Sequence, residues 1–536
     1  MTDRILGISG PTVSVDIKGL KLYDMVRVGN AGLIGEVVRL ELGRALVQVY
    51  EDTKGLAANE PAIGMQAPLT VQLGPGLLSG MFDGLQRPLR WLQQLSGPFI
   101  ATGQQLFPLD REQRWRFTAA KRPGDLLQTG DIIGHVAEGT FRHAIMTPVA
   151  GRIALLGDCE CTLADPLGSM DDGRDIIAVV PWPVRRPRPY RRKLSPSIPL
   201  VTGQRTIDFL FPMAKGGTAI FPGGFGTGKT ILEQAIAKFA DVDIVVYVGC
   251  GERGNEMAEL LEEFATLSDP WSGHPLMQRT IVVVNTSNMP VAAREASIYT
   301  AVTMGEYYRD MGYHVLLLAD SISRWAEALR EISSTLEEMP GEEGYPTYLM
   351  SRLAGFFERA GVVETLAGAI GSLTMILSVS PPGGDFTEPV TQSCLRTAGA
   401  FFMLDTALAH RRHFPAINWF QSYSLYSAEM LAHFDDKVAP RWSGVQRRCL
   451  ELLQREETLR EVAEIVGVEG LQDEDRLLMK GAERIRTEFL GQSAYTDDAF
   501  SAPERTLERI TEILAWYDRM AAKLSEGAFL EELLKQ

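Results

Sequence analysis

Residues 44–50, RALVQVY, place Ala45, Val47 and Val49 on one face of an extended segment, with no helical period competing. Short apolar stretches broken by glycine continue to about residue 67. Closure into a small β-barrel is the economical way to remove their strand edges. A second β-rich segment, about 110–182, contains GDIIGHV and IMTPVAGRI with turn signals between them, and predicts a strand-built insertion. It leads into VRRPRPYRRK, residues 184–193, where alternating Pro and Arg favour an extended, solvated linker. From about 195 to 433, apolar runs at 218–221, 244–248, 281–284, 315–319 and 375–379 alternate with helical stretches. Each is too short for a helix and most are rich in β-branched residues, as in parallel strands covered on both faces. Ligands bind at the C-terminal edge of such a sheet. Beyond about 440 the period is helical, over 451–466, 473–490 and 503–524, the last opened by Ala502-Pro503.

A chain of 536 residues exceeds what one core usually organises, so three or four domains are expected. With 45% hydrophobic and 23% charged residues it has ample material for those cores. A formal net charge of -15 argues against a broad nucleic-acid footprint, which needs a strongly basic face. The five cysteines, Cys159, Cys161, Cys250, Cys394 and Cys449, are odd in number and thinly spread, which predicts reduced thiols rather than a disulfide scaffold. Cys159 and Cys161 form a lone CxC without the second pair a zinc site needs. No signal peptide is expected from MTDRILGISGPTVSVD. The longest apolar run, about 366–379, is too short to span a bilayer.

Three motifs carry chemistry. The first is Gly223-Gly224-Phe225-Gly226-Thr227-Gly228-Lys229-Thr230, between the run 218–221 and a helix opening at Ile231. Glycines let backbone N–H groups wrap phosphate oxygens, and the helix N-terminus adds a favourable dipole. In this P-loop Lys229 would reach the β- and γ-phosphates and Thr230 would be a ligand of Mg²⁺. The second is the apolar strand 315–319 ending at Asp320, which would hold a Mg²⁺-bound water. The third is GERGNE, residues 251–256, directly after the run 244–248. Hydrolysis needs a group that orients or deprotonates water and a cation for charge developing on the γ-phosphate; Glu252 and Arg253 supply one of each, with Glu256 a weaker rival base.

These motifs, with LLLADSISRWAEALREIS, EEMPGEEGYPTYLMSRLAGFFERAG, PPGGDFTEPVT and FPAINWFQSYSLY, make the chain resemble the catalytic A subunit of V-type and A-type rotary ATPases. PPGGDFTEP and the insertion after residue 110 are the parts particular to that class of chain. The resemblance implies a multidomain α/β architecture: an N-terminal β-barrel at 1–67, a P-loop (RecA-like) parallel-sheet domain at 68–109 and 190–435, a β-rich insertion at 110–189 and a C-terminal helical domain at 436–536. It also implies Glu252 as the water-activating glutamate, Arg253 as its phosphate-binding neighbour and Arg324 as a further arginine near the γ-phosphate. Phe414 stands where the family stacks an aromatic on adenine, and Gln492 and Tyr495, in LGQSAY, match the other side of that pocket. Thr227 occupies a position where some eukaryotic relatives carry cysteine.

As partners the resemblance implies a non-catalytic B subunit supplying an arginine finger in an A3B3 ring, central and peripheral stalk subunits and a membrane sector moving H⁺ or Na⁺. ATP or ADP with Mg²⁺ would be turned over on the cytoplasmic face of a membrane. A secretion- or flagellar-type hexameric ATPase shares the P-loop and GER logic, but the insertion and PPGGDFTEP argue against it. A nucleic-acid translocase is disfavoured by the acidity, and an idle structural role by intact Lys229, Glu252 and Asp320.

Overall fold

Valine alternation closes the first strands into a barrel. In the computed structural model, which describes residues 3–41, 43–97, 102–104 and 106–533, an antiparallel six-stranded sheet begins with Arg4–Ser9, Thr12–Asp16, Arg44–Val49 and Leu33–Glu41 and ends with Asp24–Val28 and Ala62–Pro68. The bridge between Arg4 and Pro61 joins its two edges, supported by the Ile5 N–H donating to the Glu60 carbonyl at 2.9 Å. Val13, Val15, Val26, Val37, Val47 and Val49 fill the interior without solvent exposure.

Two compact units organise the chain. The first holds the described residues through Ser195, with Val242–Val379 and Thr387–Thr397; the second holds Pro196–Asp241, Ser380–Phe386 and the described residues from Ala398 onward.

In the first unit, the segment after the barrel builds two four-stranded antiparallel sheets. One contains Trp115–Ala119, Ile132–Glu138, Phe141–Met146 and Cys159–Cys161; the other contains Leu126–Leu127, Gly151–Leu156, Gly168–Met170 and Asp175–Ile176. Cys161 is buried and its thiol donates to the Trp115 carbonyl at 3.6 Å. Among the described residues no cluster of three His, Cys, Asp or Glu could hold a metal ion. The same unit carries a parallel sheet in the order Ile370–Val379, His314–Asp320, Ile244–Cys250, Thr280–Asn285 and Met81–Phe82. Its strands are buried along almost their whole length, which is why each reads as a continuous apolar run.

Residues 186, 187 and 189–193 are exposed, as a solvated linker predicts, but Val184, Arg185 and Arg188 depart from that expectation. The chain is extended there, but Arg185 donates to Glu36 at 2.9 Å and Glu295 at 2.7 Å, and Arg188 to Asp310 at 2.6 Å. Both guanidiniums are largely buried, stacked on Tyr299 and Tyr307 respectively. Guanidinium tolerates such burial when carboxylates and aromatic faces surround it. Those carboxylates come from the barrel and from the helix Val291–Asp310, distant segments that local composition does not reveal.

In the second unit, Thr218–Pro222 runs parallel to Ala400–Phe401, which pairs antiparallel with Tyr423–Ser424. Helices Ser427–Lys437, Trp442–Val466, Asp473–Arg484 and Pro503–Ser525 follow. The rings of Phe209, Phe434 and Phe489 gather around or near Trp442, with Phe434 stacked on it at 4.5 Å and Phe209 meeting Phe489 edge-on at 5.2 Å. Trp442–Val466 begins nine residues before the helix expected from residue 451. Its buried stripe includes Gln446 and Glu456, and polar residues at core positions hide the period. Among the described residues no helix is long and apolar enough to cross a membrane.

Candidate active site

The phosphate loop lies wholly in the second unit. Thr218–Pro222 leads into it and the helix Lys229–Phe239 starts directly behind it. Gly226 and Gly228 adopt φ of 79° and 84°, a left-handed backbone that side chains resist. Gly223 is required by space: a Cβ there would lie 2.6 Å from Leu404 Cβ and 2.9 Å from Thr227 Oγ1. Thr227 is buried and donates to the Gly224 carbonyl at 2.9 Å, bracing the loop from within. Lys229 Nζ donates to the Gly223 and Gly224 carbonyls at 2.5 and 3.3 Å, so the ammonium lies along the loop it would serve. Phe225, at the crest, is exposed, while Thr230 and Ile231 are half-buried in the first helical turn, where the dipole favours an anion.

Aromatic surface stands beside the loop. A Cβ on Gly228 would come within 3.3 Å of the Phe414 ring, so that ring packs on the glycine while remaining 41% exposed. The Phe414 carbonyl accepts the Gln492 N–H at 2.7 Å. Tyr495, three residues on, is 83% exposed. Gln492 is different: its side chain is buried, Oε1 accepts the Arg205 N–H at 2.9 Å and Nε2 donates to the Gly203 carbonyl at 2.8 Å. Phe414 and Tyr495 are therefore open to a ligand, and Gln492 is a strut beneath them.

The acidic residues lie in the first unit. Parallel pairing sets Gly249 opposite Asp320, so Asp320 and the turn at Gly251-Glu252 leave the sheet at one edge. Asp320 is buried and accepts the Ser378 hydroxyl at 2.6 Å. Gly251 has φ of 76°, and a Cβ there would lie 2.5 Å from Arg324 Cβ and 3.1 Å from Arg294 Cδ. The turn thus runs against two arginine stems. Burial, then repulsion from Asp320, lifts the Glu252 carboxyl from 4.5 to about 7; Arg324 and the Ser321 hydroxyl oppose the rise and Glu256 adds to it. Arg324 Nη1 donates to both Glu327 oxygens at 3.0 Å. Arg253 is more exposed and faces Glu256 at 3.7 Å, so Arg324 is the cation felt most by Glu252.

Two residues that the motifs do not name join this edge. Arg294 Nη2 donates to the Ser287 carbonyl at 2.8 Å, and the Ser287 N–H donates to the Glu252 carbonyl at 3.0 Å. Ser378 orients Asp320. A signal for each exists in hindsight: an Arg-Glu pair inside the small-residue stretch PVAAREAS, and a lone hydroxyl in the apolar run MILSV.

A measurable consequence follows from the Glu252 shift. Its folded-state value lies above the ordinary carboxylate value, so the folded chain holds a proton that the unfolded chain has released between about pH 4.5 and pH 7. The stabilising contribution is complete below about pH 4.5 and is lost as pH rises through about 7. Glu252→Gln removes that loss. In thermal melts of the nucleotide-free, metal-free chain, the variant's Tm should exceed the native Tm at pH 8, with the gap shrinking toward pH 5. A gap independent of pH would contradict the assigned shift.

The strand–glycine loop–helix of the second unit defines a P-loop nucleoside-triphosphate-binding protein. The first unit by itself carries an acid and a Glu-Arg turn at the C-terminal edge of its parallel sheet, the residue types that ATP hydrolysis uses. The chain belongs to the ATP synthase alpha/beta family. Its residues 203–424 match the family's nucleotide-binding domain, 5–64 its beta-barrel domain, 106–185 its barrel-sandwich domain, and 431–534 the C-terminal domain of V and A type ATP synthase. It is 51% identical to the second A-type ATP synthase A subunit of Methanospirillum hungatei, spanning 100% of this chain and 92% of that protein. It is 50% identical to a V-type ATP synthase alpha chain of Clostridium botulinum, over 99% of this chain and 92% of that protein. Among solved structures, the assembled ATPase EscN of the enteropathogenic E. coli type III secretion system matches with a TM-score of 0.68 at 21% identity, covering 96% of this chain and 100% of that one. That likeness concerns the fold alone.

Proposed function

We propose that this chain is the catalytic component of a V/A-type rotary ATPase, hydrolysing or synthesising ATP in a ring with a non-catalytic B subunit, coupled to H⁺ or Na⁺ movement through a membrane sector. The observation that carries this reading is Glu252: a carboxyl lifted to about 7, flanked by Asp320 and Arg324, on the turn that leaves the parallel sheet. A base of that affinity for protons is matched to catalysis near neutral pH. Full-length similarity to A-type and V-type ATP synthase chains supports the assignment.

In this reading the loop amides and Lys229 bind the β- and γ-phosphates, with Thr227 keeping the loop in shape. Glu252 accepts the proton of the attacking water; Arg324 and Arg253 balance negative charge on the transferring phosphoryl group. Phe414 and Tyr495 take the adenine between apolar faces. The Thr230 hydroxyl and the Asp320 carboxylate are hard oxygen donors that fit Mg²⁺, with Ser378 holding Asp320 in place. When bound, Mg²⁺ would neutralise phosphate charge. In the same reading the domains are a β-barrel at 1–67, a nucleotide-binding domain at 68–109 with 190–435, an insertion at 110–189 and a helical domain at 436–536. The chain would sit peripherally on the cytoplasmic face through stalk subunits and the membrane sector.

An arginine finger borrowed from the neighbouring B subunit would raise turnover by about 10³–10⁵, as in other phosphoryl-transfer enzymes that use one. The purified chain should therefore bind MgATP yet turn it over at least about 100-fold more slowly than the assembled ring. Phosphate release by chain and ring at equal site concentration measures this, and equal rates would overturn the shared site.

A further inference from the structure

The exposed arch at residues 493–497 stands on two feet, and both rest on the same three residues, Gly203, Gln204 and Arg205. At the first foot, Gln492 bonds the Gly203 carbonyl and the Arg205 N–H, while Arg205 Nη2 donates to the Gly491 carbonyl at 2.7 Å. At the second, Arg205 grips Asp498 with two nearly equal bonds of 2.6 and 2.7 Å, and Gln204 Nε2 donates to the Ala499 carbonyl at 3.0 Å. Arg205 also donates to the Phe489 carbonyl at 2.5 Å and is 1% exposed. Gly203 completes the platform: its φ is 78°, and a Cβ there would strike the Phe500 ring at 2.2 Å.

Four guanidinium bonds from one planar fork make Arg205 hard to replace, because lysine offers a point charge instead. The segments on either side are unusual in the same way. Thr206–Leu210 and Ile485–Leu490 are both π-helical turns, a rare geometry frequent at functional sites. Their phenylalanines, Phe209 and Phe489, meet edge-on in the core. Burial works against the Asp498 charge, but Arg205 and Arg509 outweigh it and hold the carboxyl below its ordinary range.

We infer that Arg205 and Asp498 are positioning residues for the base side of the nucleotide site: they fix the arch that presents Tyr495 and, through Gln492, the backbone of Phe414. The inference rests on the proposal that Phe414 and Tyr495 receive the base. It separates two parts of nucleotide binding, because the guanidinium of Arg205 bonds Phe489, Gly491 and Asp498 rather than residues 223–230, which meet this side through the Phe414 ring packed on Gly228.

The test compares MgATP with magnesium tripolyphosphate, which lacks a base, by calorimetric titration of the full chain. The native chain should bind MgATP roughly tenfold or more tightly, as expected for aromatic stacking on one base. Asp498→Asn and Arg205→Lys should lose most of that preference while keeping tripolyphosphate affinity within about twofold. A loss shared equally by both ligands, or a preference retained in both variants, would overturn the positioning role. A native chain without preference would defeat the base-site reading, and this inference with it. Asp498 is partly exposed, so its variant decides the matter should Arg205→Lys fail to fold.

Discussion

Glu252→Gln should lower ATP turnover of the assembled ring by about 10²–10⁴-fold while changing MgATP affinity by no more than a few-fold, since general-base catalysis typically contributes that much. Glutamine keeps the shape and one acceptor oxygen but cannot take a proton. The local structure says why this residue and not its neighbours. Glu256 is tied to Arg253 on the first turn of the helix Gly254–Thr266, and Asp320 is engaged by Ser378. Glu252 combines partial burial with a like charge nearby, and these two effects lift its carboxyl. Rates below pH 7 should also fall as Glu252 protonates, provided chemistry limits turnover. Steady-state phosphate release, with affinity measured separately, checks both statements. An equal loss in affinity would mean that Glu252 binds rather than catalyses.

Lys229→Ala should act on the other quantity. Nζ is held by two loop carbonyls, and its removal takes the only side-chain cation from residues 223–230. Truncating one partner of a hydrogen-bonded charge pair costs about 2–5 kcal/mol, or roughly 30- to 5,000-fold in Kd. MgATP titration should show this loss, and tripolyphosphate should suffer equally because both ligands present the same phosphates. The α/β fold itself should persist, since the glycines and Thr227 shape the loop. A variant that binds both ligands normally would place the phosphates elsewhere.

Why some of this was legible in the sequence and some was not has physical causes. Strands such as Ile244–Cys250 and His314–Asp320 are buried on both faces, so they stand out as apolar runs. The phosphate loop is legible because its backbone admits little but glycine at 226 and 228. Strand order is another matter: Thr280–Asn285 and His314–Asp320 flank Ile244–Cys250 through crossovers that no local pattern records. The buried arginines at 185 and 188 hid among exposed-looking neighbours because their carboxylates lie on remote segments. In the site, Glu252, Asp320 and Lys229 came from motif and spacing. Phe414, Gln492 and Tyr495 came only from resemblance, and resemblance could not tell that Gln492 faces inward as a strut. Arg294 and Ser378 act through a backbone turn and a partner carboxylate, which composition does not encode.

The most direct test of the proposed chemistry is the identity of the nucleotide on rings carrying Glu252→Gln. Rings loaded with MgATP are held for many native turnover times, stopped with acid, and their bound nucleotide is separated. Intact ATP at the catalytic sites is the expected result. Bound ADP formed at the native rate would contradict the role given to Glu252.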